Sequence, residues 1–241
     1  MPVYVVSGAR AGIGLGYIRQ LSQTPNTTVF ALVRSLTGDL TALRAIQQAN
    51  PAGKVHILEC DISSQASIAA LPANLQAAAG PSPVQINVLI NNAAILHSRP
   101  ETALTLTADA FLSHMTTNVL GPALLFQALL PLLAPAARVV NISSGIASLA
   151  LVGDGTIDAA ITPYSISKTA LNMLTVHQAR QVGGGVVVVA VDPGHVKTEM
   201  GAEGAVVEVE DSAKGVLSVV DRLGDGDNGK FFGYTGEEVP W

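Results

Sequence analysis

The chain has 241 residues, 49% of them hydrophobic and 13% charged, with a formal net charge of −5. That is enough apolar material for one large core, in a single domain over residues 1–241 without an evident linker or internal repeat. The mildly acidic balance lacks a basic block or aromatic-basic interleaving, which argues against nucleic acid or an anionic membrane as partner, and a single cysteine precludes an internal disulfide.

The first apolar strand, Val3 to Ser7, leaves no room ahead of it for a signal peptide, so a cytoplasmic protein is expected. It runs directly into Gly8-Ala9-Arg10-Ala11-Gly12-Ile13-Gly14 and an apolar-periodic helix through Leu21. Glycines at these places let the backbone turn tightly and approach a pyrophosphate, whose charge suits the free N–H groups and positive dipole end of the helix. Three residues separate the first two glycines, unlike the GxGxxG fingerprint, so alone the segment also reads as a plain turn.

A second strand, Thr27 to Val33, ends at Arg34-Ser35, and a third, Val55 to Asp61, carries Cys60, read as a buried, inert thiol. The fourth, Val84 to Ile90, leads into Asn91-Asn92-Ala93-Ala94. The apolar stretch Val119 to Ala134 invites a membrane reading, yet it is short and interrupted by Gly121, Pro122 and Pro131, and reads as a buried helix. A fifth strand, Val139 to Ile142, delivers Ser143-Ser144. Tyr164 and Lys168 follow, four residues apart on one helix face. Gly183-Gly184-Gly185 marks a loop before the strand Val186 to Asp192, after which come Pro193-Gly194-His195-Val196-Lys197-Thr198 and a last strand, Lys230 to Tyr234. Strands this apolar, joined by helical crossovers, predict an α/β fold with a parallel sheet covered on both faces. Each motif then falls at a strand's carboxyl end, where open sheets bind ligands.

A free tyrosine ionises near pH ~10, so a phenol needs a neighbouring positive charge to exchange protons at neutral pH, and Lys168 is spaced to supply it. At the end of the second strand an acidic residue would bind an adenosine ribose and a basic one a 2'-phosphate. Arg34 stands there, with Ser35 beside it and Arg10 in the glycine turn as a second cation; a solvated surface arginine is the alternative. These features predict NADPH. His97, His195 and Cys60 show no metal-ligand spacing, and no metal is predicted; both histidines either border a substrate pocket or sit in surface loops.

Taken in order, these motifs resemble the short-chain dehydrogenase/reductase family, over the whole chain. The family has a glycine turn spaced as here, an NNAG motif (here ending in alanine), an active-site Asn, a Ser, a YxxxK pair and a PG turn. Gly8, Gly12, Gly14, Asn91, Ala93, Asn118, Ser144, Tyr164, Lys168, Pro193 and Gly194 match those positions. The resemblance implies a Rossmann-like, doubly wound parallel sheet of seven strands and NADP(H) held by these and by Ile13, Asp61, Ile62, Val196 and Thr198. Asp61 would contact the adenine amino group with Ile62 beside the ring, although Asp61, Ser63 or Ser64 also reads as a helix cap. Val196 and Thr198 would hold the carboxamide and pyrophosphate. Tyr164 would be the proton donor, Ser144 would orient the carbonyl, and Lys168 would lower the phenol pKa and bind the nicotinamide ribose. Ser143 is the rival serine. Asn118 would hold a proton-relay water, unless its amide is purely structural.

Ser144 and Tyr164 lie about twenty positions apart, where many family members have roughly a dozen residues between them, so an added loop, Leu149 to Gly155, is expected to edge the pocket. The short stretch Met200 to Gly204 leaves no large helical lid. With the ending Gly229 to Gly236 and Trp241, the chain looks like the C-factor and sniffer type of carbonyl reductase, and fungal ketoreductases of the norsolorinic acid type are similar. A pocket lined by Leu96, Ile146, Leu149, Ile157 and Met200 would favour an apolar or aromatic carbonyl compound. Three readings follow: a ketone or aldehyde reductase, with secondary metabolism one setting for it; an alcohol dehydrogenase, which Arg34 argues against; and a silent cofactor-sensing scaffold, which the intact Ser, Tyr and Lys argue against. The apolar helices around Asn118 and after Tyr164 either pair across a two-fold, as in homodimeric or homotetrameric relatives, or simply cover the sheet.

Overall fold

The computed structural model describes residues 1–50, 55–96, 101–158, 161–201 and 203–241. Its strands are β1 (Val3–Ser7), β2 (Thr28–Val33), β3 (Val55–Glu59), β4 (Ile86–Asn91), β5 (Leu133–Ile142), β6 (Val187–Asp192) and β7 (Phe231–Gly233). All pair in parallel, in the order β3-β2-β1-β4-β5-β6-β7. The helices are α1 (Gly12–Gln23), α2 (Thr41–Gln48), α3 (Gln65–Ala79), α4 (Ala108–Met115), α5 (Gly121–Leu129), α6 (Leu149–Gly153), α7 (Thr162–Gln181) and α8 (Val209–Arg222).

The period of two along each strand divides the core. In β1, Tyr4 and Val6 pack with Ile18 of α1, Leu43 of α2 and Val216 of α8 on one face, whereas Val5 packs with Leu71 of α3, Leu125 of α5 and Ala179 of α7 on the other. Each fully buried leucine contributes about 1.5–3 kcal/mol of transfer free energy. The topology reverses at β1, whose neighbours β2 and β4 are reached by crossovers in opposite directions, so a crevice opens at the carboxyl ends of these strands.

Three segments differ from the sequence expectation. The helical run is longer than Val119 to Ala134: it spans Ala108–Leu132, long and apolar enough to cross a membrane by length and composition. Leu125, Phe126 and Leu129 are buried in the core, but Leu112, Leu120 and Leu130 are exposed, so only one face fits the buried-helix reading. β5 begins at Leu133, because Pro131 and Pro135 bar further helix; its register against β4 shifts near Ala136, which has φ 58°. The segment after Ser144 is no simple loop: a 3₁₀ turn, Gly145–Ala147, leads into α6, capped by the Ser148 hydroxyl accepting from Leu151 N.

Candidate active site

The turn between β1 and α1 is shaped by what its glycines lack. Gly8 has φ +68°, and a Cβ there would sit 2.8 Å from Ala93 Cα; Gly14 has no room for a Cβ beside the Gly8 carbonyl and Asn92 Nδ2. The β4 loop is clamped on from the other side: Asn92 N and Ala93 N donate to Ser7 Oγ at 3.0 Å, and Asn92 Nδ2 donates to Ser7 O at 3.0 Å. Ala11, the N-cap of α1, offers no side-chain acceptor, which leaves the first helical N–H groups open to an anion. Gly12, at φ +56°, faces Thr198 from the loop after β6. A bare helix N-terminus with side-chain-free walls fits a dinucleotide pyrophosphate.

Arg34 is exposed at the end of β2, and Arg10 is exposed in the glycine turn. The Asp39 carboxyl is held below the usual carboxylate range first by hydrogen bonds from Thr41 and further by the Arg10 charge, so Arg10 acts on the loop that follows Arg34. Ser35 Oγ lies 2.8 Å from Thr37 Oγ1. Asp61 Oδ1 accepts from Ser63 N and Oγ, and Ser64 is the helix cap of α3. The Ile62 side chain is buried against Gly121 of α5.

Tyr164 and Lys168 share one face of α7, turned toward the end of β5. Lys168 is 2% exposed; its Nζ donates to Ile142 O at 2.7 Å and lies 5.6 Å from the Tyr164 ring centroid. Burial pushes the ammonium down to about 7. The Tyr164 phenol moves upward instead of downward, through burial first and the Asp192 charge second, while a hydrogen bond with the Ser144 hydroxyl opposes the rise. The expected lowering by Lys168 is not among the causes at the phenol. The two serines differ in their partners: Ser143, which lines the cavity, donates to Asn172 Oδ1 at 2.6 Å, while Ser144 hydrogen-bonds the phenol.

Asn118 lies in a π-helical turn, Thr116–Leu120, between α4 and α5. Its Oδ1 accepts from Ile95 N, and its Nδ2 donates to Ile95 O and Ser167 Oγ, which ties the β4 loop to α7. Both amide protons are thus spent on Ile95 O and Ser167 Oγ. Asn91 Nδ2 donates to Asn141 Oδ1 inside the sheet, and Asn92 beside it lines the crevice.

Past β6, Gly194 (φ +81°) makes the turn after Pro193, whose carbonyl accepts from the buried Ser212 Oγ of α8. Val196 is buried and its backbone forms a β-bridge with Val207, while Thr198 Oγ1 accepts from Gly201 N. His195 Nε2–H donates to Gly201 O at 2.7 Å, a surface-loop role; His97 lies outside the described residues. Among the described residues no helix stands between Thr198 and α8. A cavity of about 920 Å³ runs from Ala11 and Ile13 to Tyr164, Lys168, Thr198 and Met200. Of the expected pocket residues, Leu96 and Met200 line it. Leu149 is 71% exposed, Ile146 is buried, and Ile157 packs against Gly145. Cys60 is buried with its thiol pushed up to about 11, and among the described residues no group of three His, Cys, Asp or Glu could hold a metal.

The family model of short chain dehydrogenases matches residues 2–206. The chain belongs to the short-chain dehydrogenase/reductase family. The norsolorinic acid ketoreductase of Aspergillus parasiticus is 30% identical, over 99% of this chain and 91% of the relative. The NADPH-bound carbonyl reductase from chicken fatty liver is 32% identical with a TM-score of 0.86, and the carbonyl reductase Sniffer of D. melanogaster is 27% identical with a TM-score of 0.88; each covers all of both chains.

The buried lysine gives this short-chain dehydrogenase a testable pH dependence. The folded chain releases the Lys168 proton near about 7, whereas an unfolded chain holds it to about 10.5. Between the two, the unfolded state binds more protons, so stability rises with pH. The thermal midpoint of the chain without cofactor should climb from about pH 7 to about pH 9 relative to Lys168→Met, which lacks this group. Parallel curves in differential scanning fluorimetry would place the ammonium in water.

Proposed function

We propose that this chain is an NADPH-dependent reductase of ketones or aldehydes. The observation that carries the reading is that Tyr164, hydrogen-bonded to Ser144, and Lys168 line one end of a cavity whose other wall is the glycine cradle. The similarity to a carbonyl reductase that binds NADPH, and to a ketoreductase, supports it. When bound, the dinucleotide supplies a hydride for the carbonyl carbon. Negative charge then grows on the carbonyl oxygen, and preorganised donors must meet it. Tyr164 gives its proton to that oxygen, and Ser144 donates the hydrogen bond that orients it. Lys168 would hold the nicotinamide ribose, Gly8, Gly12, Gly14 and Thr198 the pyrophosphate, and Arg34, Ser35 and Arg10 the 2'-phosphate. Asn118 keeps α7 and the Ile95 loop in register; a relay water would need partners other than its amide protons. Leu96 and Met200 favour an apolar or aromatic substrate.

The test is a panel of apolar and aromatic aldehydes and ketones followed by loss of NADPH absorbance. Turnover of at least one class supports the reading, and an inert panel with bound NADPH contradicts it. Arg34→Ala should weaken NADPH by about 10- to 100-fold, the worth of a charge-assisted hydrogen bond to phosphate. NADH, which lacks that phosphate, should change by less than about twofold. Equal losses in a binding titration would remove Arg34 from phosphate recognition.

A further inference from the structure

The turn that delivers Ser144 is built so that it needs a neighbour. Ser144 is the extended N-cap of the 3₁₀ turn Gly145–Ala147. The turn's own bonds run from Ala147 N to Ser144 O at 2.9 Å and from Ser148 N to Gly145 O at 3.0 Å. The carbonyls of Ile146 and Ala147 lie outside those bonds, in residues that are buried. Buried carbonyls require donors. Both donors come from α7: Ser165 Oγ donates to Ile146 O at 2.8 Å, and Thr169 Oγ1 donates to Ala147 O at 3.0 Å.

Ser165 and Thr169 immediately follow Tyr164 and Lys168. Residues four apart stack on one helix face, so α7 carries two adjacent ridges, turned from each other by about 100°. Tyr164 and Lys168 form the ridge that lines the cavity, and Ser165 and Thr169 form the ridge that holds the turn. Any shift of α7 therefore carries the acid, the lysine and the serine turn together.

We propose that Ser165 and Thr169 are positioning residues that set Ser144 against the carbonyl site by docking its turn on α7. The effect on Ser144 chemistry rests on the reductase reading; the docking does not. Neither side chain lines the cavity, so both act through the backbone that holds Ser144. A donor that must meet growing charge is effective only when it is fixed beforehand. Ser165 is the firmer anchor, because the single hydroxyl proton of Thr169 has a second acceptor, Ser165 O at 3.1 Å. The following segment is held independently: Ala150 N donates to Trp241 O at 3.1 Å, and Leu151 N donates to the Ser148 hydroxyl. Loss of the two α7 hydroxyls should thus loosen the Ser144 turn without unfolding α6.

The test combines Ser165→Ala with Thr169→Val, which keeps the branched shape and removes the donor. Amide hydrogen exchange at Ala147 and Ser148 should quicken by at least about tenfold. Unchanged exchange would overturn the docking, whatever the reaction. With a carbonyl substrate, kcat should fall about tenfold while NADPH affinity stays within about twofold, because the glycine cradle is untouched. Thr169→Ser, which keeps the hydroxyl, should stay within about twofold of the unsubstituted chain. An unchanged kcat in the combined variant, or an equal loss in Thr169→Ser, would overturn the positioning role. A double-mutant cycle separates positioning from plain support: in a Ser144→Ala background the pair should cost less than about twofold more in kcat. A full tenfold further loss there would mean that the hydroxyls do not act through Ser144, and would also overturn it. Ser165→Ala alone serves the same cycle if the pair does not fold. A chain that binds NADPH and turns over no carbonyl compound would refute the reductase reading and with it the role at Ser144, and the exchange measurement would still decide the docking.

Discussion

Tyr164→Phe should lose about a hundred- to ten-thousand-fold in kcat for carbonyl reduction, the range that a positioned general acid contributes. The substitution removes one hydroxyl and keeps the ring that packs beside Lys168 and His114. The α7 register is held elsewhere, by Ser143 to Asn172 and by Asn141 Nδ2 to Thr175 Oγ1 and Gln178 Oε1. Dinucleotide affinity should therefore stay within about twofold, because the loss falls on an interaction made in the transition state. Steady-state kinetics with a carbonyl substrate, paired with a binding titration, separates the two effects. Retained turnover would exclude Tyr164 as the acid, and a joint loss of binding and turnover would point to a collapsed site.

Gly14→Ala should be the most damaging change in the dinucleotide cradle. A methyl group at this position overlaps the Gly8 carbonyl and would lie 2.7 Å from Asn92 Nδ2, the same nitrogen that bonds Ser7 O and Gly8 O. Backbone cannot rotate away as a side chain does, so the turn must open. Overpacking of this kind costs about 1–3 kcal/mol, and the displaced N–H groups should weaken NADPH by at least about tenfold. Gly153→Ala in α6 is the control, since a Cβ there meets nothing within 4 Å. Calorimetry and thermal melts on the two variants decide it: equal behaviour would mean that the glycine turn is an ordinary turn.

The sheet and the cradle were legible because both are local. Runs such as Val-Val-Val-Val-Ala-Val before Asp192 suit only a strand buried on both faces, and close glycines after a strand leave few conformations. The start of β5 was hidden because Pro131, Pro135 and the positive φ of Ala136 read as loop until the pairing with β4 is known. Partner-dependent roles were illegible for a related reason. Whether Asn118 clamps or relays depends on Ile95 and Ser167, and whether Asn91 or Asn92 faces the crevice depends on Asn141 and Ser7. Leu149 seemed a pocket residue by its place after Ser144, but α6 turns it to solvent. Asp192 stood inside the PG motif, and its approach to Gly145 emerges only when the ends of β5 and β6 are brought together in space.

Calorimetric titration of the purified chain with NADPH and with NADH tests the central claim most directly, because it needs no knowledge of the substrate. The cradle and Arg34 predict saturable NADPH binding at least about tenfold tighter than NADH. Absence of binding by both dinucleotides would contradict the hydride-transfer function assigned to Ser144, Tyr164 and Lys168.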